Sequence, residues 1–337
     1  MQIDVLGIVD VRVNGVSIAP TAPKPRQVLA LLALHAGQVV PVSALIDELW
    51  AGRPPRSART TLQTYVLQLR DLITVALAGG AGGPGAGAGA GGAGGPAGAG
   101  DVGGPGVAGG PGGAGGPGVA GGPGGAAGVA GVAGGFGGVR GAKDVLVTAP
   151  GGYMLVLGDD GVSDVREFER LAGQGYRAMD VGDFPGASRL LGRALGLWSG
   201  PAFADVQTGA RLEMEAKRLE ESRLCALDQR IEADLRLGRH RELLAELTVL
   251  TSRYRAHENL HAQFMLALHR SGRRGEALDV YHRLRGTLVR DLGLEPSVRL
   301  RRLQQSILVA APETPLAGEG QFSQVPVSSG RGGGEAR

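Results

Sequence analysis

The chain has only one cysteine, no long apolar segment and no recognisable export signal. The lone thiol of Cys225 excludes an intramolecular disulfide, and its place within a helical pattern predicts a buried, unreactive side chain. The apolar run from Val28 to Leu34 is too short to span a bilayer. The residues from Met1 to Asp4 do not open a basic segment followed by an apolar one, as a signal peptide would. We therefore expect a cytoplasmic protein without membrane contact.

Most motifs of catalysis are also missing. The sequence contains neither the phosphate-binding pattern G-x-x-x-x-G-K-[ST] nor the nucleophile pattern G-x-S-x-G, so it predicts no enzyme and no cofactor. One segment, from His257 to His261, matches the H-E-x-x-H pattern of zinc peptidases, in which two imidazoles on one helical face bind the metal. Glu276, the nearest downstream candidate for a third ligand, belongs to a repeat described below. We favour the alternative, a repeat helix without a metal site.

Glycine is concentrated in one block. Residues 78–142 consist almost entirely of Gly, Ala, Pro and Val, and residues 103–126 repeat in register. Glycine at every third position from Gly100 to Gly124 raises the alternative of a collagen helix, but proline is sparse and the register fails at Ala127. Such a segment can bury little and loses much backbone entropy on ordering. We predict a disordered insertion at 78–142 and a disordered tail at 312–337.

The chain before this block predicts a small sheet and three helices. Residues 1–20 alternate apolar and polar side chains around Asn14-Gly15, a signal for a two-residue hairpin turn. The helices are predicted at 27–36, 43–50 and 57–73, with Ser43 and Ser57 as N-caps of the second and third. A small sheet is not stable alone, so we expect it to pack on these helices.

The third helix is the best candidate for a functional surface. Its apolar residues Leu62, Val66, Leu69 and Ile73 are spaced by four, three and four, which predicts one buried face. The opposite face is polar and, after two preceding helices, is typical of a helix that reads a DNA groove. The candidates for contacts with base edges are Thr60, Gln63, Thr64, Leu67 and Gln68. The alternative is that these residues form the solvated side of a surface helix.

Positive charge surrounds this helix. Between Lys24 and Arg70 the sequence has six basic residues and only two acidic ones, as expected of a surface that meets DNA phosphates. The candidates for phosphate contacts, which include two basic residues beside the next predicted hairpin, are Lys24, Arg26, Arg56, Arg59, Arg70, Arg140 and Lys143.

Ordered patterns return after the glycine block. Residues 144–148 and 153–157 predict a hairpin, and a hairpin that follows a recognition helix forms a wing. From Asp164 to about Ala311 the pattern is helical. Leu237-Gly238-Arg239 recurs 34 residues later as Ser271-Gly272-Arg273, which is the tetratricopeptide period, and a turn at Gly182-Asp183 looks like a degenerate copy. Stacked helix pairs of this kind usually bind proteins.

Several motifs together resemble the Streptomyces antibiotic regulatory protein family. In the N-terminal half they are 26–32, 45–50, Pro54-Pro55, 61–66, Leu69-Arg70 and the wing segment 152–155. In the helical half the similar pieces are 164–168, 194–200, 211–213, 230–235, 270–273 and 291–296, which are similar to a bacterial transcriptional activation domain. The chain departs from the family pattern in Trp50-Ala51-Gly52 and in the glycine-rich insertion.

The resemblance implies a mainly α protein of two domains. An OmpR-type winged helix-turn-helix, with a small β-sheet, three helices and a β-hairpin wing, would occupy residues 1–157, and an all-α tetratricopeptide-like repeat domain would occupy residues 164–311. Members of this family bind direct repeats in promoter DNA near antibiotic and other secondary-metabolite genes and recruit RNA polymerase. The implied partners are therefore double-stranded promoter DNA, RNA polymerase and a second copy of the chain on DNA. The alternative is a protein-interaction scaffold without specific DNA readout.

Overall fold

The computed structural model describes residues 1–79 and 141–309. Arg140, nearly all of the predicted insertion and the predicted tail lie outside these residues. The described chain is mainly helical with two small sheets, which confirms the predicted fold class. Within these ranges, no helix combines the length and the apolar character that crossing a bilayer requires.

The first sheet forms the N-terminal wall of the molecule. Its strands, in spatial order, are β3 (Val16–Ser17), β2 (Asp10–Val13), β1 (Gln2–Asp4) and β7 (Val162–Ser163). The first three are antiparallel, whereas β7 is parallel to β1. Asn14 and Gly15 have φ angles of 53° and 81°, so both adopt the left-handed conformation that a type I′ turn requires. The hairpin predicted at this turn is confirmed.

Three helices and a second sheet complete the winged helix. The elements are α1 (Pro23–Leu34), β4 (Val40–Pro41), α2 (Val42–Trp50), α3 (Ala58–Gly79), α4 (Ala142–Val145), β5 (Leu146–Ala149) and β6 (Gly152–Leu155). The prediction that Ser43 caps α2 is wrong, because the helix begins one residue earlier and its N-cap is Pro41. Helix α3 begins directly after Ser57 and continues to Gly79, which is beyond the predicted end.

The wing is the hairpin of β5 and β6. Asp144, predicted in a strand, instead lies in the short helix α4, because its carboxylate accepts a hydrogen bond of 2.8 Å from the N–H of Gly141 and closes a helical turn. Strand β6 also pairs with β4, and Gly152 is required there because a Cβ atom would lie 2.2 Å from the carbonyl oxygen of Val40. The wing is thus held between β4 and the recognition helix side of the domain.

The helical half consists of three helix pairs and a final helix. They are α5 (Asp164–Asp180) with α6 (Phe184–Leu195), α7 (Ala210–Arg236) with α8 (His240–Arg253), α9 (Glu258–Arg270) with α10 (Arg274–Thr287), and α11 (Val298–Val309). A π-helical turn, Leu288–Leu292, extends α10.

The turns inside the pairs share one backbone conformation. Gly182, Gly238 and Gly272 have φ angles of 78°, 80° and 80°, a left-handed conformation that ends a helix with little strain only at glycine. The residue after each glycine donates its N–H to a carbonyl five residues earlier. The predicted 34-residue repeat is confirmed, and so is the degenerate copy at Gly182-Asp183.

The two halves share one hydrophobic core. A continuous cluster of buried side chains extends from Ile3 and Leu32 through the wing residue Leu155 to Phe168 and Leu219 in the helical half. A second cluster fills the later repeats, from Ile231 to Ile307. The division between the two cores therefore falls within α7 and not at the junction of β7 with α5.

Candidate nucleic-acid interface

Helix α3 has one buried face and one exposed face. Leu62, Val66, Leu69 and Ile73, together with Ala76, are at most 2% exposed and pack in the shared core. Burying this stripe fixes the rotation of the helix about its axis. The opposite face is exposed to solvent and carries all five candidates for base contacts, Thr60, Gln63, Thr64, Leu67 and Gln68.

The exposed face has the chemistry of a base-reading surface. Residues spaced by three and four lie on one side of a helix, so the two glutamine amides, the two threonine hydroxyls and the leucine form a single stripe. Amides offer paired donors and acceptors that match adenine in the major groove, and methyl groups can contact thymine. Leu67 is 57% exposed, which is unusual for a leucine on a helix and leaves its side chain available for such a contact.

Positive charge is available at the start of α3. Arg56 and Arg59 are exposed, and within the described residues neither guanidinium has an ion pair or a hydrogen bond. The first turn of α3 contains no acidic residue. Because the N-terminal end of a helix carries partial positive charge, the two arginines and the helix end attract anions together.

Arg70 contacts the wing. Its guanidinium donates hydrogen bonds of 3.1 and 2.8 Å to the carbonyl oxygen of Leu146 and one of 2.8 Å to the hydroxyl of Thr148. These three bonds join the recognition helix to β5 across the intervening segment of the chain. Arg70 is therefore placed to position the wing, a role that its position beside the base-reading stripe did not indicate.

Lys24 and Arg26 bond within the protein. The ammonium group of Lys24 donates a hydrogen bond of 2.5 Å to the carbonyl oxygen of Leu49 at the end of α2. Arg26 forms an ion pair with Asp205 and donates hydrogen bonds to the carbonyl oxygens of Val9 and Pro20. Both are only partly exposed, whereas Lys143, on α4, is exposed. The structure thus brings Arg56 and Arg59 to the base-reading helix and directs Arg26 to the helical half.

Glu48 is a buried carboxylate that the charge pattern counted as part of the DNA-facing segment. It is 3% exposed, and its oxygens accept hydrogen bonds from the backbone N–H groups of Gly209, Arg211 and Leu212 at 2.5, 2.8 and 3.2 Å. It therefore caps the N-terminus of α7 from helix α2. A signal was present in the sequence, because Glu48 lies three residues after Leu45 on the apolar face of its helix.

Asp164 forms a second link between the halves. Its Oδ2 accepts hydrogen bonds of 2.6 and 2.7 Å from the N–H groups of Val5 and Leu6. Burial raises the pKa of this carboxyl, and the backbone hydrogen bonds oppose that change. Together with the contacts of Glu48 and Arg26, this link joins the N-terminal sheet, α1 and α2 to the helical half at three separate points.

The H-E-x-x-H segment does not have the geometry of a zinc peptidase. His257 is the N-cap of α9, and its Nδ1 accepts a hydrogen bond from the N–H of Leu260, while Nδ1 of His261 lies 3.0 Å from the carbonyl oxygen of His257. The Glu258 carboxylate accepts a 2.8 Å hydrogen bond from the N–H of Ser297. Across residues 1–79 and 141–309, no three His, Cys, Asp or Glu side chains form a cluster suited to a metal ion.

The prediction that Cys225 is buried is wrong, because its side chain is exposed on α7. It lies on the rim of a groove formed with α5, and not under the helix. Partial burial, and then the carboxylates of Glu221 and Asp228, raise the pKa of the thiol. A raised pKa disfavours the thiolate, so the exposed sulfur is not an activated nucleophile.

Comparison with known proteins assigns both halves of the chain. Residues 19–77 match the family described as transcriptional regulatory protein, C terminal, and residues 163–308 match the bacterial transcriptional activator domain. The Streptomyces peucetius regulatory protein DnrI is 47% identical over 93% of this chain and 93% of its own length. The Streptomyces coelicolor regulatory protein AfsR is 31% identical over 93% of this chain, which spans 24% of the longer protein.

A solved structure has the same architecture. Mycobacterium tuberculosis EmbR, determined in complex with a low affinity phosphopeptide, superposes with a TM-score of 0.67 and 28% sequence identity, over 91% of this chain and 64% of that one. The fold and the matched domains define a winged-helix transcriptional regulator with a bacterial transcriptional activator domain. Within that class, the chain belongs to the Streptomyces antibiotic regulatory protein family.

Proposed function

We propose that the protein is a sequence-specific activator that binds direct repeats near the promoters of a secondary-metabolite gene cluster and recruits RNA polymerase there. The observation that carries the DNA-binding part is the exposed stripe of α3, where Thr60, Gln63, Thr64, Leu67 and Gln68 share one face while the opposite face is buried. A helix of this kind, anchored by its apolar side, reads base edges in the major groove.

Phosphate contacts follow from the position of free positive charge. Arg56 and Arg59 lie at the start of the reading helix, and Lys143 lies exposed before the wing, so we assign phosphate contacts to these three side chains. Arg70 is assigned to the wing instead, because its guanidinium is already hydrogen-bonded to β5. Lys24 and Arg26 keep a role in DNA binding only through the internal contacts that hold α1 and α2 in place.

The helical half supports the activator part of the proposal. Its match to the bacterial transcriptional activator domain covers the stacked helix pairs, and such pairs offer extended surfaces to proteins. We assign contacts with RNA polymerase, and with a second copy bound to the adjacent repeat, to this half. The likeness to the regulators of Streptomyces supports control of a gene cluster for a secondary metabolite.

Selection of bound sites from random duplex DNA, repeated at two salt concentrations, tests the proposal. A spaced direct repeat enriched at both concentrations is the expected result. Binding without an enriched motif, lost uniformly as salt rises, would leave only non-specific phosphate attraction and would contradict sequence-specific readout.

Substitution of the reading stripe tests the assigned face. The double variant Gln63→Ala, Thr64→Ala is expected to lose preference for the selected repeat by at least about tenfold, since each lost base contact costs about 1–3 kcal/mol. The matched control is Thr74→Ala, Val75→Ala, in the later turns of α3: both residues are exposed, and Thr74, like Thr64, donates its hydroxyl to the helix carbonyl four residues earlier. Equal footprints from the two double variants would refute the assignment.

A further inference from the structure

A cavity of about 480 Å³ lies between α8, α9 and α10, away from the recognition helix. Phe264 and Leu284 supply part of an apolar lining, and the guanidinium groups of Arg255 and Arg283 line it from its exposed side. Among the described residues, no carboxylate lines this cavity. Its volume falls within the range of about 300–1,000 Å³ that binds small organic molecules.

The two arginines are available to a ligand. Within the part of the chain that the structure describes, neither Arg255 nor Arg283 has an ion pair or a side-chain hydrogen bond. The hydroxyls of Thr248, Thr251 and Ser252, by contrast, already donate to helix carbonyls. The unsatisfied donors of the cavity are therefore the two cations, and the group they fit is an anion.

A buried histidine forms part of the same cavity. His261 is 7% exposed, and its Nδ1 lies 3.0 Å from the carbonyl oxygen of His257, so the polar atom that remains is Nε2. Among the described residues, no hydrogen-bond partner occupies Nε2. Burial lowers the pKa of His261, and the charges of His257 and Arg283 act in the same direction while Glu258 opposes them.

The internal repeat provides a reference for this cavity. A cavity of about 420 Å³ lies one repeat earlier, between α6, α7 and α8. There Leu227 lies 34 residues before His261 and Glu246 lies 34 residues before Val280. Glu246 forms an ion pair of 2.5 Å with Arg230, so that cavity contains its own counter-charge. The later cavity has lost the carboxylate and gained a buried imidazole.

We propose that the cavity between α8 and α10 binds a small anion, a carboxylate or phosphate attached to an apolar body. Arg255 and Arg283 hold the anionic group, Phe264 and Leu284 contact the apolar body, and the Nε2–H of protonated His261 makes a further contact with the anion. This ligand site is separate from DNA recognition and does not depend on it. The same chemistry can come from a free metabolite or from an acidic and apolar segment of a partner protein.

Fluorescence of 8-anilinonaphthalene-1-sulfonate, an anion on an aromatic body, tests the site in the full-length chain. We expect it to bind and to be displaced by octanoate, but not by octanamide, which has the same body without the charge. Failure of octanoate to displace the probe from the folded protein, or equal displacement by octanamide, would overturn the proposal.

Two competitors distinguish the sources of the ligand. Octanoate represents a free metabolite, and a capped peptide of alternating glutamate and leucine represents a protein segment. Stronger displacement by octanoate supports a metabolite, and stronger displacement by the peptide supports a partner protein. Displacement by neither contradicts the site itself.

Variants locate the binding. Arg255→Gln with Arg283→Gln is expected to weaken octanoate binding by at least about tenfold, because charge-assisted hydrogen bonds are lost. The control is Arg253→Gln, which removes a cation that stacks on Tyr254 at the earlier cavity and should change octanoate affinity by less than about twofold. Equal weakening by the control would refute the location.

His261→Leu provides a second variant that the fold should accept, because leucine occupies the corresponding position of the earlier repeat. In the unsubstituted chain, octanoate affinity should rise as the pH falls from 8 to 6, since binding an anion favours the protonated imidazole. Helix α9 contributes Glu258 to the surroundings of His261, its N-cap contributes His257, and α10 contributes Arg283. A pH dependence that survives in His261→Leu would exclude this histidine from the site.

Discussion

At the scale of a single residue, Glu48 joins the recognition unit to the helical half. Its carboxylate lies at the N-terminal end of α7, where three backbone N–H groups and the partial positive charge of the helix compensate its burial. Gly209, which precedes α7, has no space for a side chain, since a Cβ atom would lie 2.2 Å from the carbonyl oxygen of Glu48. Both residues are therefore fixed by one contact between the domains.

Replacement of this carboxylate is expected to weaken the whole fold. Glu48→Gln places an amide N–H₂ among backbone donors and should lower the free energy of unfolding by about 2 kcal/mol. Asp47→Asn is the matched control, because the neighbouring Asp47 is exposed and only 3.8 Å from Arg211 at its closest approach. The control should cost less than about 0.5 kcal/mol. Urea unfolding measures both, and equal losses would contradict a specific cap.

At the scale of an element, the position of the wing depends on Arg70. Removing its guanidinium in Arg70→Ala leaves the carbonyl oxygen of Leu146 and the hydroxyl of Thr148 without their partner, so the wing should be held less firmly. We expect affinity for the selected DNA repeat to fall by about tenfold, as the loss of about 1.4 kcal/mol implies. The preferred sequence should not change. Binding titrations against specific DNA measure the loss.

Salt dependence separates a positioning residue from a phosphate contact. For Arg59→Ala the slope of log K against log salt should become shallower by about 0.9, because one phosphate contact disappears. For Arg70→Ala the slope should stay the same. A shallower slope in Arg70→Ala would return this residue to the set of phosphate contacts.

The recognition helix shows which features of the chain a sequence can predict. The buried stripe of α3 follows from the spacing of Leu62, Val66 and Leu69, which depends only on helical geometry and local order. The turns at Gly238 and Gly272 were predictable for the same reason, since glycine marks a left-handed residue in a repeated position.

Features that depend on distant partners were not predictable. Arg70 bonds to a residue 76 positions later and Glu48 to one 161 positions later, and no local pattern connects them. Cys225 belongs to an apolar-looking helical segment, but its exposure depends on how α7 packs against α5. Local periodicity therefore defined the elements, and long-range packing determined which charged side chains remain free.

At the scale of the whole molecule, the length of the connection between α3 and α4 affects stability. The two helices pack together, although residues 80–140 separate them in sequence. Replacing residues 80–138 with a Gly-Ser linker of about six residues should raise the free energy of unfolding by up to about 2 kcal/mol, since closing a shorter loop costs less entropy. DNA affinity should stay within a few fold. A loss of the promoter response in this variant would show that the glycine-rich segment has a function of its own.

The junction between β7 and α5 has a consequence for promoter architecture. Strand β7 ends at Ser163 and α5 begins at Asp164, whose carboxylate is bonded to the N-terminal sheet, so no linker separates the two halves. On the proposed function, an activator domain attached in this way projects from the duplex at a fixed angle around its axis. Because B-DNA completes a turn in about 10.5 base pairs, shifting the operator by half a turn moves that domain to the opposite side of the promoter. The distance from operator to promoter is then set in whole helical turns.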